Sequence, residues 1–278
     1  RVLIRSAASA GKFIARRGSD VEEGAVVLEK GQRLGPAQVA VAASVGKGRV
    51  KVHARPRVAV IGTGDELVDV DEEPGKGQIR NSNNLMLVSL LKRLGCEATD
   101  LGIVRDEPGI IREVIEEGLR YDVVFITGGM SMGAYDYVPE VLSDLSIDFR
   151  ITKLRIKPGK PFVFGVRSLD NKYAFGLPGN PLAGFVCVVR LASRLIERLS
   201  GGEVRERWVV GKLEKDLAPN GPREFYQPVI VRDGVVQVPG WKGSADLYSL
   251  AKANGLLVRS ENEPARRAGE TVRVMEIP

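Results

Sequence analysis

The stretch RVAVIGTGDEL at residues 57–67 decides the reading of this chain. Val58-Ala59-Val60-Ile61 is a short continuous apolar run, as expected of a strand covered on both faces. It runs directly into the turn Gly62-Thr63-Gly64-Asp65-Glu66. Arg55-Pro56 marks a boundary before it, because the residue preceding proline avoids the helical region. Downstream the spacing predicts a helix over about 83–94, with Leu87, Val88, Leu91 and Leu94 on one face and Gly95 as its stop. A strand over 98–104 follows, then a helix opening near Asp106 and Pro108 with Ile111, Val114 and Ile115 inward. Val123–Ile126 reads as a third strand, and Val138, Val141, Leu142 and Leu145 as a third helical face. Short strands over 151–156, 162–164 and 173–175 precede a long helix from Pro181 to about Leu199, with Asn180 as N-cap. This alternation predicts a βαβ array whose parallel sheet carries ligands at the C-terminal strand ends.

On either side the pattern differs. Residues 1–55 are rich in Gly, Ala and Val and read as strands and turns, for example 25–28 and 49–52. After Gly201-Gly202 the helical period stops. Segments 208–213, 226–231, 235–238 and 272–277 alternate or run apolar, and Asp233-Gly234 is a hairpin turn signal, so a small β-domain is expected. The expected division is 1–56, a remnant of N-terminal domains; 57–202, the α/β domain; and 203–278, the β-domain.

Length and composition exclude several kinds of chemistry. The 278 residues are 44% hydrophobic and 27% charged, an ordinary globular composition with room for two or three domains. No apolar run approaches the ~20 residues of a membrane span, and no signal peptide is recognisable. The chain starts at Arg1, not methionine, so its natural N-terminus is expected upstream. A single histidine, His53, excludes His-based triads, two-imidazole zinc sites and facial-triad iron. Cys96 and Cys187 are far apart in apolar contexts and read as buried structural thiols of a reducing compartment. The net charge of +6 comes without any basic run interleaved with aromatics, which argues against nucleic acid and for compact anionic ligands.

Three strands each end in a glycine-bearing loop: Gly62–Glu66, then Thr127-Gly128-Gly129-Met130-Ser131-Met132-Gly133, then Gly176-Leu177-Pro178-Gly179-Asn180-Pro181. Glycine lets backbone amides approach an anion, and a helix N-terminus behind the loop donates to phosphate oxygens. One such loop is common; three on one edge make a phosphate-type site. Asp65, Glu66 and Asp136 belong to the same edge. Alone, each group reads as a helix cap or a solvated acidic turn. Beside phosphate-cradling amides they would repel the ligand unless a cation intervened, which points to Mg²⁺. The turn Arg155–Pro161, with Lys157 and Lys160 each directly before a proline, supplies positive charge; in isolation it reads as a solvated surface turn. His53 reads as a strand histidine away from these loops, and Met130 and Met132 as packing around the turn. Ser131 has no histidine base and reads as a ligand donor, not a nucleophile.

TGDEL (63–67), IRNSN (79–83), GGMSMGAYD (128–136), KPGKP (157–161) and GLPGNP (176–181) together resemble the molybdopterin molybdenumtransferase family, the MoeA family that includes the E domain of gephyrin. RRGSD at 16–20, Arg223, Gly243-Ser244 and Ala253-Asn254-Gly255 continue the resemblance over nearly the whole chain. It implies a three-layer, doubly wound, mostly parallel sheet of the MoaB/MogA type, with a small N-terminal β-rich remnant and a C-terminal β-domain. It also implies a cytoplasmic homodimer with a shared cleft that inserts molybdate into adenylylated molybdopterin and releases AMP with Mg²⁺. The resemblance maps catalytic acids onto Asp65, Glu66, Asp136 and Asp20; joined to the phosphate-loop reading, it makes Glu66 and Asp136 the expected metal ligands. It maps substrate contacts onto Thr63, Gly64, Gly128, Gly129, Ser131, Gly133, Lys157, Lys160, Pro178, Gly179 and Asn180, and from the β-domain Arg223 and Ser244. No residue separates molybdate from tungstate. The family's upstream Ser-Met-Asp-Gly-Tyr-Ala element and much of the lobe after it are absent, as expected of an N-terminally truncated or short form. Met130 and Met132 stand where valines are commoner, and Thr127 where serine is usual.

Three other functions fit some of these residues. A molybdopterin adenylyltransferase and a nucleotide pyrophosphatase of the competence-damage type share the core domain, but neither needs the flanking segments. A gephyrin-like scaffold would bind a partner peptide and leave the acidic cleft idle.

Overall fold

The computed structural model describes residues 2, 3, 6, 7, 9–130, 136–204 and 206–278. They form two compact units, Arg1–Val52 and His53–Pro278.

In the first unit the described residues hold turns and one helix, α1 (Pro36–Ser44). Pro36 sits at its first position, and the Gln38 side chain accepts from the Gly35 amide at 3.1 Å. The strands expected over 25–28 and 49–52 are absent, so the N-terminal piece is not β-rich among the described residues. A strand needs a ladder partner and these segments have none, whereas Ala-rich PAQVAVAAS closes its own backbone hydrogen bonds locally.

The second unit begins with β1 (Arg57–Thr63), followed by β2 (Leu67–Val68), β3 (Ile79–Arg80), α2 (Ser82–Arg93) and β4 (Glu97–Val104). Next come α3 (Pro108–Gly118), β5 (Val123–Thr127), α4 (Val138–Asp144), β6 (Asp148–Ile151), β7 (Ile156–Lys157), β8 (Val163–Arg167) and β9 (Lys172–Leu177). The long helix of residues 181–199 is α5 (Pro181–Cys187) and α6 (Ser193–Leu199), joined by a π-helical turn, Val188–Ala192.

One six-stranded sheet has the order β4-β1-β5-β9-β8-β6. The first four strands are parallel, and β8 and β6 continue antiparallel. The continuous apolar runs of β1 and β5 are explained by burial on both sides. Val58, Val60, Val123 and Phe125 face α2 and the long helix, while Ala59, Ile61, Val124 and Ile126 face α3 and α4. The predicted three-layer arrangement is therefore observed.

The remaining strands are β10 (Trp208–Leu213), β11 (Glu224–Arg232), β12 (Val235–Gln237), β13 (Gly255–Arg259) and β14 (Thr271–Glu276), with the short helix α7 (Leu247–Leu250) between β12 and β13. Their order β12-β10-β14-β13-β11, with β11 pairing back to β12, closes a five-stranded barrel. Asp233 and Gly234 both have positive φ (50° and 77°), the geometry that a two-residue hairpin loop between β11 and β12 requires. β7 pairs with β11, Lys157 opposite Phe225, so a strand inserted in the α/β sequence extends the barrel sheet. Tyr226, Leu250, Leu256 and Met275 share one core with α2 and the long helix.

Candidate functional site

Parallel pairing puts the ends of β1, β5 and β9 side by side: Gly62 lies opposite Thr127, and Thr127 opposite Leu177. Ligand crevices form where neighbouring connections leave a parallel sheet in opposite directions. Here β1 has β4 on one side and β5 on the other. The three glycine loops leave from this point. The Thr63 hydroxyl donates to the Thr127 carbonyl at 3.3 Å, and the Gly128 amide to the Leu177 carbonyl at 3.2 Å, tying the strand ends together. Thr63 is thus turned inward and buried. A Cβ placed on Gly179 would meet Gly128 Cα at 3.8 Å, so the second and third loops touch. The predicted convergence is present.

The acidic residues gather on the same edge. Asp65 and Glu66 are exposed just past β1, and Asp136 is half-buried before α4. Asp106, two residues beyond the end of β4, completes the group. Its amide donates to Asp65 Oδ1 at 3.3 Å. Burial raises the Asp106 carboxyl above its ordinary value, and the charges of Asp65, Glu66 and, less strongly, Asp136 raise it further. Asp106 escaped the sequence reading because its position before Pro108 reads as a helix start. The available signal was an acid at a parallel strand's C-terminal end. Among the described residues, no three His, Cys, Asp or Glu side chains are gathered closely enough to hold a metal on their own.

Asn83, in the first turn of α2, was also missed as a site residue although it lies in the IRNSN motif. Its Nδ2 donates to the Gly179 carbonyl at 2.7 Å and fixes the third loop, while its Oδ1 is buried with no partner among the described residues. Asn180 begins α5 with an extended backbone but makes no side-chain cap, so its exposed amide stays available. Pro178 is buried, and Gly179 is exposed.

The basic turn starts at the barrel edge. Lys157 Nζ lies 4.7 Å from the Phe225 ring centre and 4.5 Å from that of Trp241. Lys160 is exposed. Arg223 Nη1 donates to the Ile156 carbonyl at 3.4 Å, beside the same turn. The Ser244 carbonyl accepts from the Leu182 amide at 3.1 Å, which joins the barrel loop to the first turn of α5 behind Gly179. Arg223 and Ser244 are therefore brought to the long helix and the basic turn. Ser131 and Gly133 lie outside the described residues. Asp20 is exposed in the first unit, where Ser19 Oγ donates to it at 3.4 Å. Both cysteines are buried; burial pushes the Cys96 thiol up to about 12 and raises that of Cys187 further, as suits inert core thiols. His53 is exposed and lies over Gly201, at the end of α6.

Glycine loops meeting at a sheet switch point, with carboxylates on the same edge, define a layered α/β protein with a crevice at its parallel strand ends. Comparison with known proteins narrows this class. The family model described as "Probable molybdopterin binding domain" matches residues 59–198. Those for the MoeA N-terminal region (domain I and II) and the MoeA C-terminal region (domain IV) match residues 1–46 and 210–277. The chain belongs to the molybdopterin molybdenumtransferase, or MoeA, family.

Its relatives include molybdopterin molybdenumtransferases of Nostoc sp., 32% identical over all of this chain, and of Haemophilus influenzae, 34% identical over 94% of it. The chain spans 66% of the length of each. Among solved structures, a molybdopterin biosynthesis MoeA protein from Pyrococcus horikoshii superimposes with a TM-score of 0.82 at 32% identity, covering 94% of this chain and 64% of that one. A molybdenum cofactor biosynthesis protein from Pyrococcus furiosus gives 0.73 at 27% identity, covering 93% and 82%. Among the described residues, no helix is long and apolar enough to cross a membrane.

Proposed function

We propose that this chain carries the molybdate-inserting step of molybdenum cofactor biosynthesis: adenylylated molybdopterin and molybdate enter, and molybdenum cofactor and AMP leave. The observation that carries this reading is the convergence of the three glycine loops with Asp65, Glu66, Asp106 and Asp136 at one strand-end crevice. Amides of Gly129 and Gly179 cradle the phosphate oxygens, while Gly64 and Gly128, whose amides donate to the Val104 and Leu177 carbonyls, shape the loops around them. Lys157, Lys160 and Arg223 bring positive charge from the barrel side, with Ser244 and Asn180 at the junction. Ser131 and Gly133 belong to the same loop motif, and Asp20 to a further acidic element of the family.

Asp106, raised first by burial and then by its acidic neighbours, marks a crowding of carboxylates that suits a hard divalent cation. Glu66 and Asp136 would hold Mg²⁺, which supplies charge neutralisation on the phosphoryl oxygens. Asp65 then orients the loop through its bond with the Asp106 amide. Molybdate and tungstate both fit this donor set. A cytosolic homodimer with a shared cleft belongs to the same proposal and rests on the family resemblance; the division at residues 56/57 and 202/203 rests on the Arg55-Pro56 boundary and on the end of the helical period at Gly201-Gly202.

The test is Asp136→Ala. Losing one electrostatic stabiliser of this kind costs about 2.7–4 kcal/mol, or ~10²–10³ in rate. Molybdate-dependent AMP release from preformed adenylate should fall by that factor with unchanged circular dichroism. Undiminished release would remove Asp136 from the machinery, and adenylate formation from ATP would favour the adenylyltransferase reading instead.

A further inference from the structure

Lys157 enters this function as an anion-binding cation, yet its ammonium does not project freely into solvent. It sits in an aromatic corner made by the barrel. Phe225 lies opposite Lys157 in the β7–β11 pairing, and the Phe225 and Trp241 rings meet at 5.0 Å and 55°, with Nζ 4.7 and 4.5 Å from their centres. The Trp241 loop is itself held rigidly. Asp246 accepts from the Lys242 amide at 3.0 Å, from the Ser249 amide at 3.0 Å and from the Ser249 hydroxyl at 2.6 Å. On its other side the loop reaches α5 through Ser244 and Leu182. Trp241 Nε1 is buried with no partner among the described residues.

We propose that Trp241 and Phe225 are positioning residues for Lys157, holding its ammonium on two ring faces so that it meets a tetrahedral oxyanion at a fixed place. The physical reason lies in the partner chosen. A carboxylate would fix the lysine by neutralising it, and would repel the incoming anion. A ring face attracts the cation through its quadrupole and leaves the full positive charge available. The flexible four-carbon stem of lysine otherwise spreads that charge over many rotamers. The aromatic corner removes this freedom before the ligand arrives, and the loop connection to α5 places it relative to Gly179.

This inference rests on the anion-binding role of Lys157, and its test separates the two. Molybdate alone is titrated calorimetrically into the full chain, with Trp241→Leu, Trp241→Phe, Phe225→Leu and Lys157→Gln beside it. Trp241→Leu and Phe225→Leu should weaken binding about 3–10-fold. Trp241→Phe, which keeps a ring face and loses the indole N–H, should stay within about twofold of the parent. In the Lys157→Gln background Trp241→Leu should have no further effect, a coupling that a purely structural role would not produce.

Equal losses in both backgrounds, equal losses for Trp241→Phe and Trp241→Leu, or no molybdate binding by the parent would each overturn the proposal. AMP release is read in the same samples. Trp–Lys coupling without AMP release would keep this inference and reject the transferase reading. AMP release without coupling would do the reverse.

Discussion

Gly128 shows how much of the site depends on single backbone positions. Its φ is +89°, a region costly to other residues, and a Cβ there would overlap the Thr63 carbonyl that ends β1. Gly128→Ala should therefore destabilise the fold by about 1–2 kcal/mol from the backbone alone, with a further loss from the contact. A urea titration measures this, and molybdate binding should weaken at the same time because the loop amides move. Glycines in this loop were legible as a tight turn at a strand end. That Gly128 also spaces two strand ends was not, since the partner, Thr63, is remote in the chain. The inward turn of the Thr63 hydroxyl is a similar case: threonine at a loop reads as a ligand group until the neighbouring strand takes its hydrogen bond.

Among the elements, β1, β4 and β5 with α2, α3 and α4 were readable because burial on one or two faces leaves a period in the sequence. β13 was not recognised, since GLLVR is a short apolar run that a helix or a strand can equally bury. The turn after β13 carries the barrel's most enclosed ion pairing among the described residues. Glu263 accepts from Arg259 Nε at 2.8 Å and Arg266 Nη2 at 3.2 Å. Burial opposes ionisation of Glu263, but the two arginines outweigh it and hold the carboxyl below its ordinary value. A lowered folded-state value means that this stabilisation is present above the unfolded value near 4.5 and is lost as pH falls through the folded one. The urea midpoint should thus drop on acidification below about pH 4.5, and Glu263→Gln should flatten that part of the profile while lowering the midpoint at pH 7. An identical acid slope in the variant would show that other carboxylates set it.

For the whole second unit, the decisive fact is that α/β layers and barrel share one core. A polar clamp reinforces it. Arg190, in the π-helical turn, donates to Tyr226 Oη at 2.7 Å and pairs with Glu206, while the Tyr226 hydroxyl donates to Glu224 on β11. Unfolding of residues 53–278 should accordingly be one transition, with tryptophan fluorescence, which reports the barrel, coinciding with circular dichroism, which reports the helices. Tyr226→Phe leaves the half-buried Arg190 and Glu224 without that partner, although Arg190 keeps Glu206, and should cost about 0.5–1.5 kcal/mol; separation of the two probes would mark the clamp as the coupling element. What the sequence alone determined is the layered architecture, the loops and most charged groups of the crevice, because periodicity, glycine turns and strand-end acids are local signals. What the tertiary structure decided is which of them meet. Asp106 joining Asp65, Asn83 holding Gly179 and two barrel rings enclosing Lys157 all depend on strand order and chain closure, which bring together residues that no local pattern connects.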